Sequence, residues 1–323
     1  MPLSEFELIE RYFSHCGAPR ADVRLGVGDD GALLNSPADQ ELVAAIDTLV
    51  AGVHFLPDAA PASVGHRALA VNLSDLAAMG ARPAWALLAL TLPAADERWL
   101  AAFARGFCAL AQTHEVALVG GDTTAGPLCV TVQVLGHVPR SRAMLRSGGS
   151  PGDALFVSGA VGDAAAGLAL EQGRLKLEDV IAARHLRERF AFPTPRIALG
   201  ERLRDFATAC IDVSDGLFGD AAKLARASGC GVEIAFDDLP VSAELVGAVG
   251  AERARQLALT GGDDYELCFS VAPARVAELE RTLPPARWQY RRIGVLCAAP
   301  GANVTRGANV MQFSHSGFDH FAR

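Results

Sequence analysis

Residues 63–92, SVGHRALAVNLSDLAAMGARPAWALLALTL, decide the fold class. The first part, following Pro61, repeats Ala, Leu and Val at helical spacing and stops at Met79-Gly80, where glycine readily takes the left-handed turn that ends a helix. From 85 to 92 the chain is a short apolar run, the pattern of a strand buried on both faces. A helix that hands over to a buried strand predicts an α/β unit, and the flanking sequence extends it. Residues 41–47 read as a strand ending in Asp47 and 96–113 as a second helix, while 116–119 and 128–138 read as strands separated by a Gly-Gly-Asp loop. Ser4-Glu5-Phe6-Glu7 has the form of a capping box, and Phe6, Ile9 and Phe13 at helical spacing predict a first helix to about His15.

Past residue 138 the composition changes. The segment 139–152 holds three arginines, the pair Gly148-Gly149 and Pro151, so it reads as the boundary between one domain of residues 1–138 and another of 153–323. Strands at 155–157, 211–213, 266–271 and 292–296, with helices at 162–170 and 216–227, make the second part α/β as well. The expected class is therefore α/β, as an α+β two-domain chain.

A length of 323 residues leaves room for two cores. With 50% apolar and 20% charged residues and a mean hydropathy of +0.23, the chain is too apolar for disorder. No apolar run reaches membrane-spanning length, and the acidic start Glu5, Glu7, Glu10 lacks the form of a secretory signal, which predicts a cytoplasmic protein without membrane contact. A net charge of −8 argues against a broad nucleic-acid surface. Seven scattered cysteines with no C-x-x-C pair read as free thiols rather than as a zinc site or disulfide framework. Only two lysines, Lys176 and Lys223, stand against 27 arginines, and neither follows a glycine-rich loop. Phosphate chemistry here has to rely on arginine or metal.

Six carboxylate motifs carry that chemistry. Gly26-Val27-Gly28-Asp29-Asp30-Gly31 is either a solvated turn or a loop in which Asp30 offers oxygen to a hard cation. Asp47 closes a strand ahead of His54. Asn72 and Asp75 lie three apart on one face of an apolar helix, where a carboxylate needs a cation or several donors. Gly120-Gly121-Asp122-Thr123-Thr124 brings bare backbone and a carboxylate together. Asp212-Val213-Ser214-Asp215-Gly216 holds more charge than a helix cap requires, and Gly261-Gly262-Asp263-Asp264-Tyr265-Glu266 is a second Gly-Gly-Asp segment. Many carboxylates with little histidine select oxygen-loving cations such as magnesium, and these aspartates are compatible with a polyphosphate only when divalent ions lie between them.

With these motifs in this order, the sequence resembles the thiamine-monophosphate kinases of the aminoimidazole ribonucleotide synthetase superfamily, over nearly the whole chain from Phe6 to Phe321. The stretches GVGDDGA, DTLVAGVHF, NLSDLAAMGARP, GGDTT, DVSDGL and GGDDYELCF carry the resemblance. It implies ATP-dependent phosphorylation of thiamine monophosphate to thiamine diphosphate, several magnesium ions, and a homodimer joined through the sheets of the N-terminal halves. It further implies that Asp30, Asp47, Asp75, Asp122 and Asp212 ligate magnesium and that Asp215 holds a further ion. Gly121, Asp122, Arg146 and Ser214 then contact the nucleotide, and His54, Asp263 and Phe318 the thiamine monophosphate. There is one departure: the family pattern has a hydroxyl residue just before the strand-end aspartate, where this chain has Ala45 and Ile46. A selenophosphate synthetase would need a lysine near Cys16-Gly17-Ala18-Pro19, which is absent. A noncatalytic nucleotide-binding regulator is the alternative outside the enzymes, one in which degenerate carboxylate motifs are expected.

Overall fold

The computed structural model describes residues 4–311, which form two compact units. One comprises residues up to Leu76 together with Ala81–Arg142; the other comprises Ala77–Gly80 together with the residues from Ala143 onward.

The first unit runs α1 (Glu5–Tyr12), β1 (Val23–Leu25), β2 (Leu33–Leu34), β3 (Gln40–Val50), α2 (Pro61–Ala78), β4 (Arg82–Leu92), α3 (Glu97–Thr113), β5 (Ala117–Ala125) and β6 (Cys129–Pro139). The four long strands form one sheet in the order β3-β6-β4-β5, with β4 and β5 parallel and the other pairs antiparallel. Successive side chains alternate between the faces. Leu88, Leu90, Val130, Val132 and Val134 are buried, and with Leu69, Leu73 and Leu76 of α2 and Phe103 and Phe107 of α3 they make the core. The two helices touch backbone to backbone: a Cβ on Gly65 would lie 2.2 Å from the Phe103 carbonyl oxygen, and one on Gly106 1.9 Å from that of Ala62. The opposite face is only partly covered, by the short β1–β2 pair, whose Val23, Ala32 and Leu34 pack with Leu87 and Leu135 against Trp85 and Val119. Toward β3 that face stays open, with Ile46 62% and Leu42 50% exposed.

Three sequence expectations need correction here. The strand expected to end at Asp47 continues to Val50, because β6 pairs with it along its whole length. Gly120-Gly121-Asp122 is not a loop but the middle of β5, hydrogen-bonded beside β4 after a bulge. The cysteines are not all free. Phe13, just past α1, packs edge-on against Phe103 of α3, and the adjoining Cys16 forms a disulfide with Cys108 across 92 residues of sequence. The other five cysteines are free. The capping box at Ser4 is present, but α1 stops at Tyr12.

The second unit continues with β7 (Ala154–Ser158), α4 (Asp163–Glu171), α5 (Val180–Ala191), α6 (Ile197–Leu203), β8 (Ala207–Val213), α7 (Leu217–Ala227), β9 (Gly231–Ala235), α8 (Ala243–Val249), α9 (Ala251–Thr260), β10 (Glu266–Val271), α10 (Pro273–Thr282), α11 (Pro285–Trp288), β11 (Tyr290–Cys297), β12 (Gly301–Arg306) and β13 (Asn309–Met311). Its seven strands lie in the order β13-β12-β9-β11-β7-β10-β8, all neighbours antiparallel except β12 and β9. Strands β7 and β10 are buried throughout. On one face, Ile211, Val213, Val232 and Ile234 pack with Leu217, Ala221 and Leu224 of α7; elsewhere Phe156, Phe269 and Tyr290 form an aromatic cluster. A smaller core joins α4, α5, α8 and α9 through Leu170, Leu186, Leu245 and Ala254.

Candidate functional site

In the first unit the open sheet face and the β1–β2 connection enclose a cleft of about 330 Å3. Sheet register explains why space is left there. Thr48, Thr131, Ala89 and Asp122 form one row across four strands, and Ile46, Gln133, Leu87 and Gly120 form the next. Small side chains at Ala89, Gly120 and Thr131 leave the floor low, and the Thr48 and Thr131 hydroxyls meet at 2.9 Å beside it. Asp29, Asp30 and Gly31 come from the β1–β2 connection as the facing wall, so Asp30, Gly121 and Asp122 line one cleft. Asp30 and Asp122 are both exposed. The backbone N–H of Asp30 donates to the Asp29 carboxylate at 2.8 Å, which fixes the turn. Two exposed carboxylates against a glycine backbone suit a hard cation that keeps water and phosphate oxygens as its remaining ligands. Among the described residues no three His, Cys, Asp or Glu side chains are grouped to hold a metal by themselves.

The remaining candidates of this unit lie elsewhere. Asp47 alternates with Ile46 and Thr48 and so belongs to the other sheet face, that of Val43 and Leu49. Asp75 is half-buried on α2. Asn72, three residues before it on the same helix, is fully buried and donates to the Ala68 carbonyl at 3.0 Å. His54 Nδ1 accepts the backbone N–H of Val50 at 3.0 Å and closes the turn after β3.

In the second unit Ser214 and Asp215 lie between β8 and α7. The N-cap residue of α7 is Gly216 and no side chain caps the helix, so Ser214 is not its cap. Instead one oxygen of Asp220, inside the helix, accepts the backbone N–H groups of both Ser214 and Asp215 at 3.0 Å. Burial pushes the Asp220 carboxyl up, and Lys223, 2.8 Å away, pulls against that rise. The same ammonium lies 2.5 Å from Asp215. Burial lowers the Lys223 pKa, yet its two carboxylate partners more than reverse this and leave it raised. Asp212 is buried one residue before Val213 and faces away from the α7 core. Arg146 is exposed, and its carbonyl accepts the Ser228 hydroxyl at 3.1 Å. Phe318 lies outside the described residues.

The Gly261–Glu266 segment divides its charges between two environments. Asp263 and Tyr265 have positive φ, 71° and 51°, a conformation that bulky residues adopt only when held. Backbone bonds of 2.8 Å from Asp263 N–H to Ser214 and from Tyr265 N–H to Val213 hold them, and the Tyr265 hydroxyl donates to Asp263 at 3.2 Å. Asp264 turns inward, accepts the Gly162 N–H at 2.7 Å and has its carboxyl pushed well up by burial. Burial also raises the Glu266 carboxyl, but Arg196 and Arg189 overcome it and leave it lowered. Asp264 and Glu266 are thus parts of the scaffold. Sequence reasoning missed the pairing of Asp220 with Lys223; the one signal for it was the scarcity of lysine.

Comparison with known proteins accounts for both units. Residues 28–138 match the AIR synthase related protein, N-terminal domain, and residues 150–307 the AIR synthase related protein, C-terminal domain. The chain is 48% identical over 323 residues to thiamine-monophosphate kinase of Salmonella typhimurium, covering 100% of this chain and 99% of that one. It is similar to the crystal structure of thiamine-monophosphate kinase from Stenotrophomonas maltophilia, at a TM-score of 0.85 and 45% identity over 94% of this chain and 97% of that one. It is also similar to AaThiL complexed with AMPPCP and TMP, at a TM-score of 0.78 and 32% identity over 91% and 92% of the two chains. With both domains matched in order and a relative of nearly half its residues aligned end to end, the chain belongs to the thiamine-monophosphate kinase family of AIR synthase related proteins.

Proposed function

We propose that this chain transfers the γ-phosphoryl group of ATP to thiamine monophosphate, giving thiamine diphosphate and ADP. The observation that carries the reading is the cleft in which Asp30 and Asp122 face the Gly120-Gly121 backbone, in a chain 48% identical to a thiamine-monophosphate kinase. The attacking atom is an oxygen of the substrate phosphate, already ionised at neutral pH, so the reaction needs no strong general base. Catalysis is in-line positioning and charge neutralisation.

Gly121 and Asp122, with Arg146 and Ser214, bind ATP; Gly121 does so through a backbone without a side chain in the way, and Arg146 through a guanidinium suited to phosphate. Asp263, fixed by its backbone bond and by Tyr265, contacts thiamine monophosphate together with His54 and Phe318. Asp30, Asp47, Asp75, Asp122 and Asp212 hold magnesium ions. When bound, these ions offset the negative charge of the phosphates. Asp30 and Asp122 support this assignment best, being exposed around one cleft. Residues 1–138 act as the nucleotide, metal and dimerisation domain, and 153–323 as the second domain.

The working form is a homodimer in the cytoplasm. The open sheet face with Leu42 and Ile46 exposed favours a second copy over water. No helix among the described residues is long and apolar enough to cross a membrane. Purified protein incubated with ATP, magnesium and thiamine monophosphate should release thiamine diphosphate and ADP in equal amounts, read by chromatography. ADP without thiamine diphosphate refutes the acceptor.

A further inference from the structure

The family resemblance gives Asp215 a metal ion, and the side chains around Asp215 disagree. We propose that in this chain Lys223, and not a metal ion, neutralises Asp215, and so holds the Ser214-Asp215 turn in shape without metal. The inference deepens the kinase reading and rests on it for the role of Ser214.

The ammonium of Lys223 lies 2.5 Å from Asp215 Oδ2 and 2.8 Å from Asp220 Oδ1. Asp220 Oδ2 in turn receives the N–H groups of Ser214 and Asp215, each at 3.0 Å. The unit is closed: one cation, two carboxylates and two backbone donors. A divalent ion on Asp215 binds oxygen at about 2.1 Å, and at Oδ2 it would share that oxygen with the ammonium. The two cations would then stand about 4 Å apart, a strong repulsion between a divalent ion and an ammonium in a partly buried site. Lys223 would have to withdraw, leaving the Asp220 side chain, 1% exposed, as a buried carboxylate without its ion-pair partner. Lysine suits the position because it is a compact point charge on a stem long enough to reach back past the helix start. Lys223 is a positioning residue: it acts on the turn through Asp220.

Counting bound ions tests this without measuring turnover. Mn2+ is titrated into the full chain and read by electron paramagnetic resonance, first alone and then with a non-hydrolysable ATP analogue. Asp215→Asn should bind as many ions per chain as the parent. Lys223→Met, which removes the charge and keeps the stem, should bind one more, and adding Asp215→Asn to it should abolish the gain. Lys223→Arg should restore the parental count. Loss of one ion in Asp215→Asn overturns the proposal, as does a Lys223→Met count equal to the parent's. Should Lys223→Met fail to fold, Asp215→Asn still decides, because that side chain is 35% exposed and its loss leaves the Asp220 bonds in place. Failure of the analogue to bind the parent refutes the kinase reading instead, and the Mn2+-only titrations tell the two failures apart.

Discussion

Replacing Gly121 by alanine should damage the first unit through one contact. A Cβ at Gly121 lies 1.8 Å from the carbonyl oxygen of Leu88, its register partner on β4, and real Cβ atoms stay beyond 3.0 Å. The oxygen belongs to backbone, so no side chain can swing away. Relief requires β4 and β5 to part locally, and the φ of 153° at Gly121 is itself one that L side chains rarely adopt. Loosening two ladder hydrogen bonds costs about 1 kcal/mol each, and forcing in an extra carbon about 1–3 kcal/mol more. A destabilisation of about 3–5 kcal/mol corresponds to a melting temperature lower by roughly 10–20 °C for a unit of this size. Affinity for a non-hydrolysable ATP analogue should fall with it, since Gly121 also lines the cleft. Calorimetry gives both quantities. Gly31→Ala is the control: Gly31 lines the same cleft, and its added Cβ meets nothing within 4 Å. A Gly121→Ala protein melting within a degree of the parent would refute the reasoning, and so would an equal loss in Gly31→Ala.

Asp122→Asn should lower turnover by orders of magnitude at limiting magnesium while the melting temperature stays unchanged, because Asp122 is exposed; near-normal turnover sinks its assignment as a ligand. Ile46→Thr places a hydroxyl in the cleft where the family pattern has one, and should lower the magnesium concentration for half-maximal rate by roughly two- to tenfold, the equivalent of one modest polar interaction. Leu42→Glu, on the exposed sheet face, should shift light scattering from dimer to monomer; an unchanged mass removes that face from the interface. Burial raises the folded pKa of Asp264 above its ordinary 3.8, so its contribution to stability is fully present below that value and is lost as pH rises through the folded pKa. Denaturant unfolding of Asp264→Asn should therefore show a flatter decline from acid to neutral pH, and identical slopes for the two proteins count against the shift.

The first unit was legible in the sequence where hydrophobic period and chain punctuation agree. The helix closed by Gly80 and the apolar run after it correspond to α2 and β4 within a few residues. Legibility failed where a residue type usually signals one thing and tertiary pairing made it another. Two consecutive glycines ordinarily mark a turn, yet β5 runs straight through Gly120-Gly121 because a glycine is what lets its backbone press against Leu88. The strands β1 and β2, of three and two residues, carry too little pattern to be seen, although they supply the cleft's second wall. The Cys16–Cys108 bond depends on where α3 lies against the residues after α1, a fact no spacing rule contains.

For the candidate site, sequence located the carboxylates but could not sort them. What separates them is the cation each one meets, and only the folded chain decides which cation that is. Glu266 is neutralised by Arg189 and Arg196, 77 and 70 residues away, and so belongs to the scaffold despite standing in the same motif as Asp263. Period-two alternation puts Asp264 and Glu266 on one face and Asp263 on the other, and the first two are indeed the buried pair. Asp215 meets Lys223 from eight residues further on, whereas Asp30 and Asp122 stand exposed at a cleft large enough for phosphate and metal. A carboxylate supplied with a protein cation has its charge settled when the chain folds. One left at an open cleft gains most from a cation that arrives with the substrate, and that distinction ranks Asp30 and Asp122 above Asp215 as metal ligands.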